Sequence, residues 1–229
     1  MIRILVVDDQ RLVRRCISAK LNSTDGFDVV GEVDSGERAC EFVRRENIDV
    51  VLMDLNMPGI GGLEATRHLV NTESNCRVIG LSVYVDGPYP KRFMEVGGSG
   101  YVSKAADTEE LSQAIRSVAD GSLYISQDVA QNIALEHPGS GDIGGFDALS
   151  NREIQVLQKI SEGVDLDEIA KVMCLSPKTI AHHRRSLCAK LGASNDVQLA
   201  IIANARGLSG LDDLSAPALN SAPTETGQP

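Results

Sequence analysis

The sequence predicts an α/β unit built on a doubly wound, five-stranded parallel sheet, followed by an all-α unit of four helices. Three observations carry this. Short apolar runs alternate with helix-period segments over the first part of the chain, as in successive βαβ units. A Gly- and Pro-rich stretch from Pro138 to Gly145 then breaks the pattern. Beyond it every periodic segment is helical, and three of them open on a capping residue.

Taken in order, Ile2 to Val7 reads as a buried strand, followed by a helix with Val13, Cys16, Ile17 and Leu21 on one face. Val29 to Val33, Val50 to Met53, Val78 to Leu81 and Tyr101 to Val102 supply four more strands. Helices lie between them, marked by Ala39, Phe42 and Val43, by Leu63, Leu69 and Val70, and by Phe93 and Met94. A fifth carries Leu111, Ala114, Ile115 and Val118. The α/β unit is expected over residues 1–122, and a helical segment around Val129 to Leu135 leads into a flexible linker within 123–146.

The helical unit is expected over 147–210. Ser150 with Glu153, and Asp165 with Glu168, have the spacing of an N-cap and the third helical residue, while Ser176 precedes Pro177 at the first helical position. A fourth helix starts near Asp196 and carries Val197, Leu199, Ala200 and Ile201. Residues 211–229 are rich in Ser, Pro, Ala and Thr, have no Lys or Arg, and read as a disordered tail.

Composition narrows the function. The 229 residues suit two modest domains, and no apolar run approaches the roughly 18 residues of a membrane span. Met1 leads directly into a strand with no signal-peptide pattern, so a cytoplasmic protein is expected. Five scattered cysteines, Cys16, Cys40, Cys76, Cys174 and Cys188, show no Cys-x-x-Cys spacing and read as small core residues. The net charge of −10 is unevenly spread: residues 1–147 carry 14 Lys+Arg against 23 Asp+Glu, whereas residues 148–210 carry 8 against 6. An acidic first part and a mildly basic second part suggest different partners.

In an open parallel sheet all strands end along one edge, where ligands bind. On that edge fall Asp8 and Asp9 after the first strand, Asp54 after the third, Ser82 after the fourth and Lys104 after the fifth. A single Asp at a strand end often does no more than cap the next helix. Five chemically suited residues on one edge are another matter. Clustered carboxylates need a cation or shared protons to offset their repulsion, and hard oxygen ligands in an open crevice favour Mg2+. One carboxylate can then attack phosphorus. Asp54 is the natural nucleophile, Lys104 can neutralise added charge, and Ser82 can donate to a phosphoryl oxygen. Tyr101 reads equally as a half-buried rotameric switch or as edge packing, and Tyr84 as packing. Gly59, Gly61 and Gly62 after Met57-Pro58 read as turn glycines beside the site, and they form no phosphate-cradling loop.

Residues 176–191, SPKTIAHHRRSLCAKL, are basic without an acid, and Ile180, Leu187 and Leu191 form one buried stripe. A charged helix face is commonly only solvated. Here, however, a capped basic helix follows another across a short turn at Cys174 and Leu175, matching a helix-turn-helix whose second helix enters the major groove of double-stranded DNA. Candidate DNA contacts are Lys178, Thr179, His182, His183, Arg184, Arg185 and Lys190. His182 and His183 have no metal or triad partner in sequence and read as groove-facing or packing residues.

Through RILVVDD, VVLMDLNMPGIGG, the LS at Ser82 and GYVSK, residues 1–122 resemble the receiver domains of response regulators, whose fold is CheY-like. The stretch from Leu149 through Leu191 is similar to the LuxR-type output domain of the NarL/FixJ regulators. GIGGLEATRHL, VDGPYPKRF and CLSPKTI are similar to the GacA/UvrY global-activator branch. The resemblance implies that Asp8 and Asp9 hold Mg2+ with Asp54, that Asp54 accepts a phosphoryl group from a sensor histidine kinase, and that Ser82 and Lys104 couple it to a surface change. It also implies a homodimer when phosphorylated and a transcriptional role in which RNA polymerase is a further partner. Ala181 departs from the polar residue many relatives carry after the Thr-hydrophobe pair, and removes one expected DNA contact. Two other readings stay open at this level: a flavodoxin-like cofactor domain, which the clustered acids and 3% aromatic content disfavour, and a signalling adaptor whose helices bind protein or RNA.

Overall fold

The computed structural model describes all residues except 73–75, 86–87, 136–145, 147, 174, 206–207 and 209–229. Most of the expected linker, the whole tail and Cys174 therefore lie outside the described residues.

The α/β unit runs β1 (Ile2–Val7), α1 (Arg11–Asn22), β2 (Phe27–Val33), α2 (Gly36–Val43), β3 (Val50–Asp54), α3 (Gly61–Thr72), β4 (Arg77–Ser82), α4 (Tyr89–Glu95), β5 (Gly100–Ser103), α5 (Thr108–Ala119), β6 (Tyr124–Ile125) and α6 (Gln127–Leu135). All strand pairs are parallel, in the order β2-β1-β3-β4-β5-β6. Two residues make the sixth strand, which extends the five read from sequence. Tyr124 N donates to Ser99 O and Ser126 N to Tyr101 O, an addition too short to leave a period-2 pattern.

Because strand side chains alternate between faces, the sheet buries two cores. Ile4, Val6, Val50 and Leu52 pack with Leu21 of α1 and Ala114, Ile115 and Val118 of α5. Leu5, Val7, Val51 and Met53 face the opposite way, with Ala39 and Val43 of α2 and Leu63 and Leu69 of α3. Cys16 departs from expectation: it is exposed, as is Leu12, while Ser18 and Leu21 are buried. At 3.6 residues per turn, Cys16 lies more than half a turn from Ser18, so the helix turns it outward.

The helical unit comprises α7 (Asn151–Ser161), α8 (Leu166–Val172), α9 (Pro177–Leu191) and α10 (Asp196–Asn204) around Ile154, Leu157, Ile169, Ile180, Leu187 and Leu199. Ser150 forms a reciprocal capping box with Glu153. Asp165 caps differently from its spacing, accepting from Asp167 N rather than pairing with Glu168. Ser176 caps α9 behind Pro177, and Gly192, at φ 66°, ends it in the left-handed conformation.

Candidate functional site: an acidic crevice and a basic helix

Strand order reverses between β1 and β3, and the crevice opens at their C-terminal ends. Asp8 follows β1 fully buried, Asp54 ends β3 at 1% exposure, and Asp9 stands exposed at the rim. Oxygen atoms of the three carboxylates all lie within 4.8 Å of one another. Gln10 N donates to Asp8 Oδ1 at 2.8 Å and Asn56 N to Asp54 Oδ1 at 3.0 Å, which fixes both carboxylates from one side.

Lys104 reaches in from the end of β5 and places its ammonium 2.8 Å from both Asp8 Oδ2 and Asp54 Oδ2. It hydrogen-bonds to Asp8 and pairs by charge with the buried Oδ2 of Asp54, which has no other protein partner among the described residues. Burial pushes the Asp54 carboxyl above its ordinary range; Lys104 opposes the shift and Asp8 adds to it. Burial, then the Asp8 charge, raises Asp9 likewise. For Lys104, burial favours the neutral amine, but the two carboxylates outweigh it and hold the ammonium charged above its usual range.

Ser82, buried at the end of β4, pairs in register with Ser103 and accepts from Tyr84 N at 3.0 Å. Tyr101 is wholly buried rather than half-buried: Gly98 and Phe93 close over β5, with Phe93 edge-on to the ring at 5.8 Å, and the hydroxyl donates to Tyr84 O at 2.7 Å. The turn glycines also find a cause. Gly59 and Gly61 hold φ of 75° and 73°, and a Cβ at Gly62 would stand 2.1 Å from the Asp54 carbonyl oxygen.

The basic helix divides its cations. Lys178, His182 and Arg185 are exposed along one stripe of α9. Thr179 Oγ1 meets Ser176 Oγ at 2.8 Å in the cap. Arg184 is paired with Asp196 at 2.5 Å. Lys190 donates to Ala148 O at 2.9 Å and sits 2.7 Å from Glu153 Oε2. His183 is half-buried, and burial lowers its pKa. Sequence reasoning missed the partner of Lys190, since Glu153 is legible as a capping residue but not as the anchor of a helix 37 residues away. It also missed Gln158 and Arg92, whose partners lie in the other domain.

Comparison with known proteins accounts for both halves. Residues 4–116 match the response regulator receiver domain, and residues 147–203 match bacterial regulatory proteins of the luxR family. The response regulator GacA of Pseudomonas aeruginosa is 43% identical over 210 residues, covering 91% of this chain and 98% of that protein. UvrY of Escherichia coli is 41% identical over 218 residues, covering 94% and 100%. Among solved structures, a LuxR-family two-component response regulator from an Aurantimonas species aligns with a TM-score of 0.56 at 36% identity, covering 58% of this chain and 94% of that one. An acidic crevice at the switch point of a receiver sheet, joined to a LuxR-type helix-turn-helix and matched almost end to end by GacA and UvrY, shows that this chain belongs to the response regulators with a LuxR-type DNA-binding output.

Proposed function

We propose that this regulator accepts a phosphoryl group on Asp54 from a sensor histidine kinase and that the added charge governs DNA binding by α9. One observation carries the reading: a buried Asp54 whose carboxylate lies within 4.8 Å of those of Asp8 and Asp9 and 2.8 Å from the Lys104 ammonium. That donor set fits Mg2+, which Asp8, Asp9 and Asp54 would hold. Bound there, the metal withdraws charge from phosphoryl oxygens.

A carboxylate oxygen of Asp54 forms the new P–O bond as the bond from phosphorus to the donor's imidazole nitrogen breaks, its electron pair staying on nitrogen. Lys104 neutralises charge at the acyl phosphate, and Ser82 donates its hydroxyl to a phosphoryl oxygen. The chain's own chemistry is confined to gaining and losing this group. Tyr101, held against Tyr84, transmits the change toward α4.

On DNA, Lys178, His182 and Arg185 supply the groove-facing stripe with Thr179 at its entering end, while His183, Arg184 and Lys190 set the helix in place. Val197 and Ile201, exposed on α10, offer a face for a homodimer on paired half-sites. A promoter-bound dimer is then positioned to meet RNA polymerase. Among the described residues no helix is long and apolar enough to cross a membrane, and DNA as a partner supports a cytoplasmic location. The test is binding of the full chain to promoter duplex across a salt series, with and without acetyl phosphate and Mg2+. Affinity should fall steeply with salt and rise on phosphorylation; binding indifferent to both contradicts the proposal.

A further inference from the structure

The two domains meet at α7 and the segment leading into it. Tyr84, between β4 and α4, and Tyr89, at the start of α4, stack at 5.5 Å with rings 22° apart. Both hydroxyls converge on one side chain of α7: Tyr89 Oη donates to Gln158 Oε1 at 2.9 Å, and Gln158 Nε2 donates to Tyr84 Oη. Gln158 is 3% exposed, so these bonds are made out of water's reach. From α4, Arg92 donates to Phe146 O and Leu149 O, at 2.6 and 2.7 Å, in the segment that leads into α7.

The same tyrosine is tied to the phosphoryl site. Tyr84 N donates to Ser82 Oγ, and Tyr84 O accepts from Tyr101. Its backbone is thus set by the crevice and its hydroxyl by the DNA-binding domain. Meanwhile Lys178, His182, Arg185 and Ala189 on α9 stay exposed, and Val197 and Ile201 on α10 are 69% and 62% exposed.

We propose that Gln158 is a latch: Tyr84 and Tyr89 grip it in the unphosphorylated chain, fixing the orientation of the helical domain while leaving its recognition helix uncovered. Phosphorylation draws Ser82 toward the phosphoryl group and away from Tyr84 N, so Tyr84 shifts and the grip on Gln158 opens. What this controls is whether two copies can set their domains on adjacent half-sites together, rather than whether one domain can reach DNA. Coupling of this kind is reciprocal, so the latch also restrains phosphorylation of Asp54. The inference rests on the DNA-binding reading above.

The test uses the full chain as wild type, Gln158→Ala and Tyr89→Phe. With acetyl phosphate and Mg2+, Gln158→Ala should be phosphorylated to a greater extent at equilibrium, by about tenfold in the phosphorylated-to-free ratio, and Tyr89→Phe by a smaller factor in the same direction. On promoter duplex long enough for one domain only, all three should bind alike with or without beryllofluoride. On duplex for two domains, beryllofluoride or Gln158→Ala should tighten binding at least about tenfold. Tighter binding to the one-domain duplex on activation would mean that the helix had been masked, and would overturn the proposal; so would unchanged phosphorylation in both variants. Should Gln158→Ala lose its helical circular dichroism, Tyr89→Phe, which deletes a single hydroxyl, decides the matter. Absence of binding to either duplex would count against the DNA reading, while the phosphorylation ratios still judge the latch.

Discussion

Lys190 and Glu153 tie the third helix of the DNA-binding domain to the first, with the ammonium 2.7 and 3.0 Å from the two carboxylate oxygens. Ser186 Oγ donates to the same carboxylate at 2.5 Å and Ser150 N at 2.6 Å, so a nearly buried charge is held by four hydrogen bonds from three donor residues. Two are on α9 itself, which makes this cluster the reference point for the recognition helix.

That cluster predicts how stability depends on pH. Burial alone would raise the Glu153 carboxyl, but donation from Lys190, Ser186 and Ser150 outweighs it and brings the pKa down to about 2. A depressed carboxyl contributes stability that is complete above its unfolded value, near 4.5, and is lost as pH falls from there toward 2. Urea unfolding of the full chain should therefore weaken through that window. Glu153→Gln should flatten the loss and cost about 3 kcal/mol at neutral pH, because it leaves Lys190 without its counter-charge. An unchanged acid limb in the variant would contradict this account of Glu153.

Lys104 should matter for folding before it matters for signalling. Removing its ammonium, as in Lys104→Met, leaves Asp8, Asp9 and Asp54 facing one another without a cation. Stability at neutral pH should fall by about 3 kcal/mol without Mg2+. Added Mg2+ should raise the melting temperature of the variant more than that of wild type, since binding to the folded state alone stabilises by mass action. Equal Mg2+ responses would argue that Lys104 does not screen these carboxylates.

The division of cations on α9 gives a prediction in salt dependence. Each of Lys178→Ala and Arg185→Ala should reduce the slope of log affinity against log salt by about 0.9, the loss of one phosphate contact. Arg184→Ala and Lys190→Ala should lower stability instead and leave the slope near that of wild type, because those side chains are engaged by Asp196 and Glu153. A slope reduced equally by all four would show that the internal pairs open on DNA.

Gly62 packs against the Asp54 carbonyl so closely that any side chain must move the end of β3. Gly62→Ala should cost about 1–3 kcal/mol and displace the Asp54 carboxylate, slowing phosphorylation by acetyl phosphate. Normal stability with normal phosphorylation would show that the α3 turn can yield without disturbing the site.

The order of elements and the members of the crevice were legible because strand ends and parallel topology converge on one edge whatever the side chains in between. Asp8, Asp54 and Lys104 came together for that reason. Cys16 was misread because spacing alone did not fix which face of α1 meets the sheet. Tyr101 stayed open between a half-buried switch and edge packing because its cover, Phe93, comes from a helix with a weak pattern. The contact of Gln158 with the two tyrosines and the pairing of Lys190 with Glu153 carried no signal. Their roles depend on partners 37 to 74 residues distant, and neither periodicity nor capping rules reach across such separations.

The central claim, that Asp54 is the phosphoryl acceptor, is most directly tested by intact mass measurement of the full chain after acetyl phosphate and Mg2+. Wild type should gain one phosphoryl group that is lost in hydroxylamine, and Asp54→Asn should gain none. Equal incorporation by Asp54→Asn would contradict the assignment.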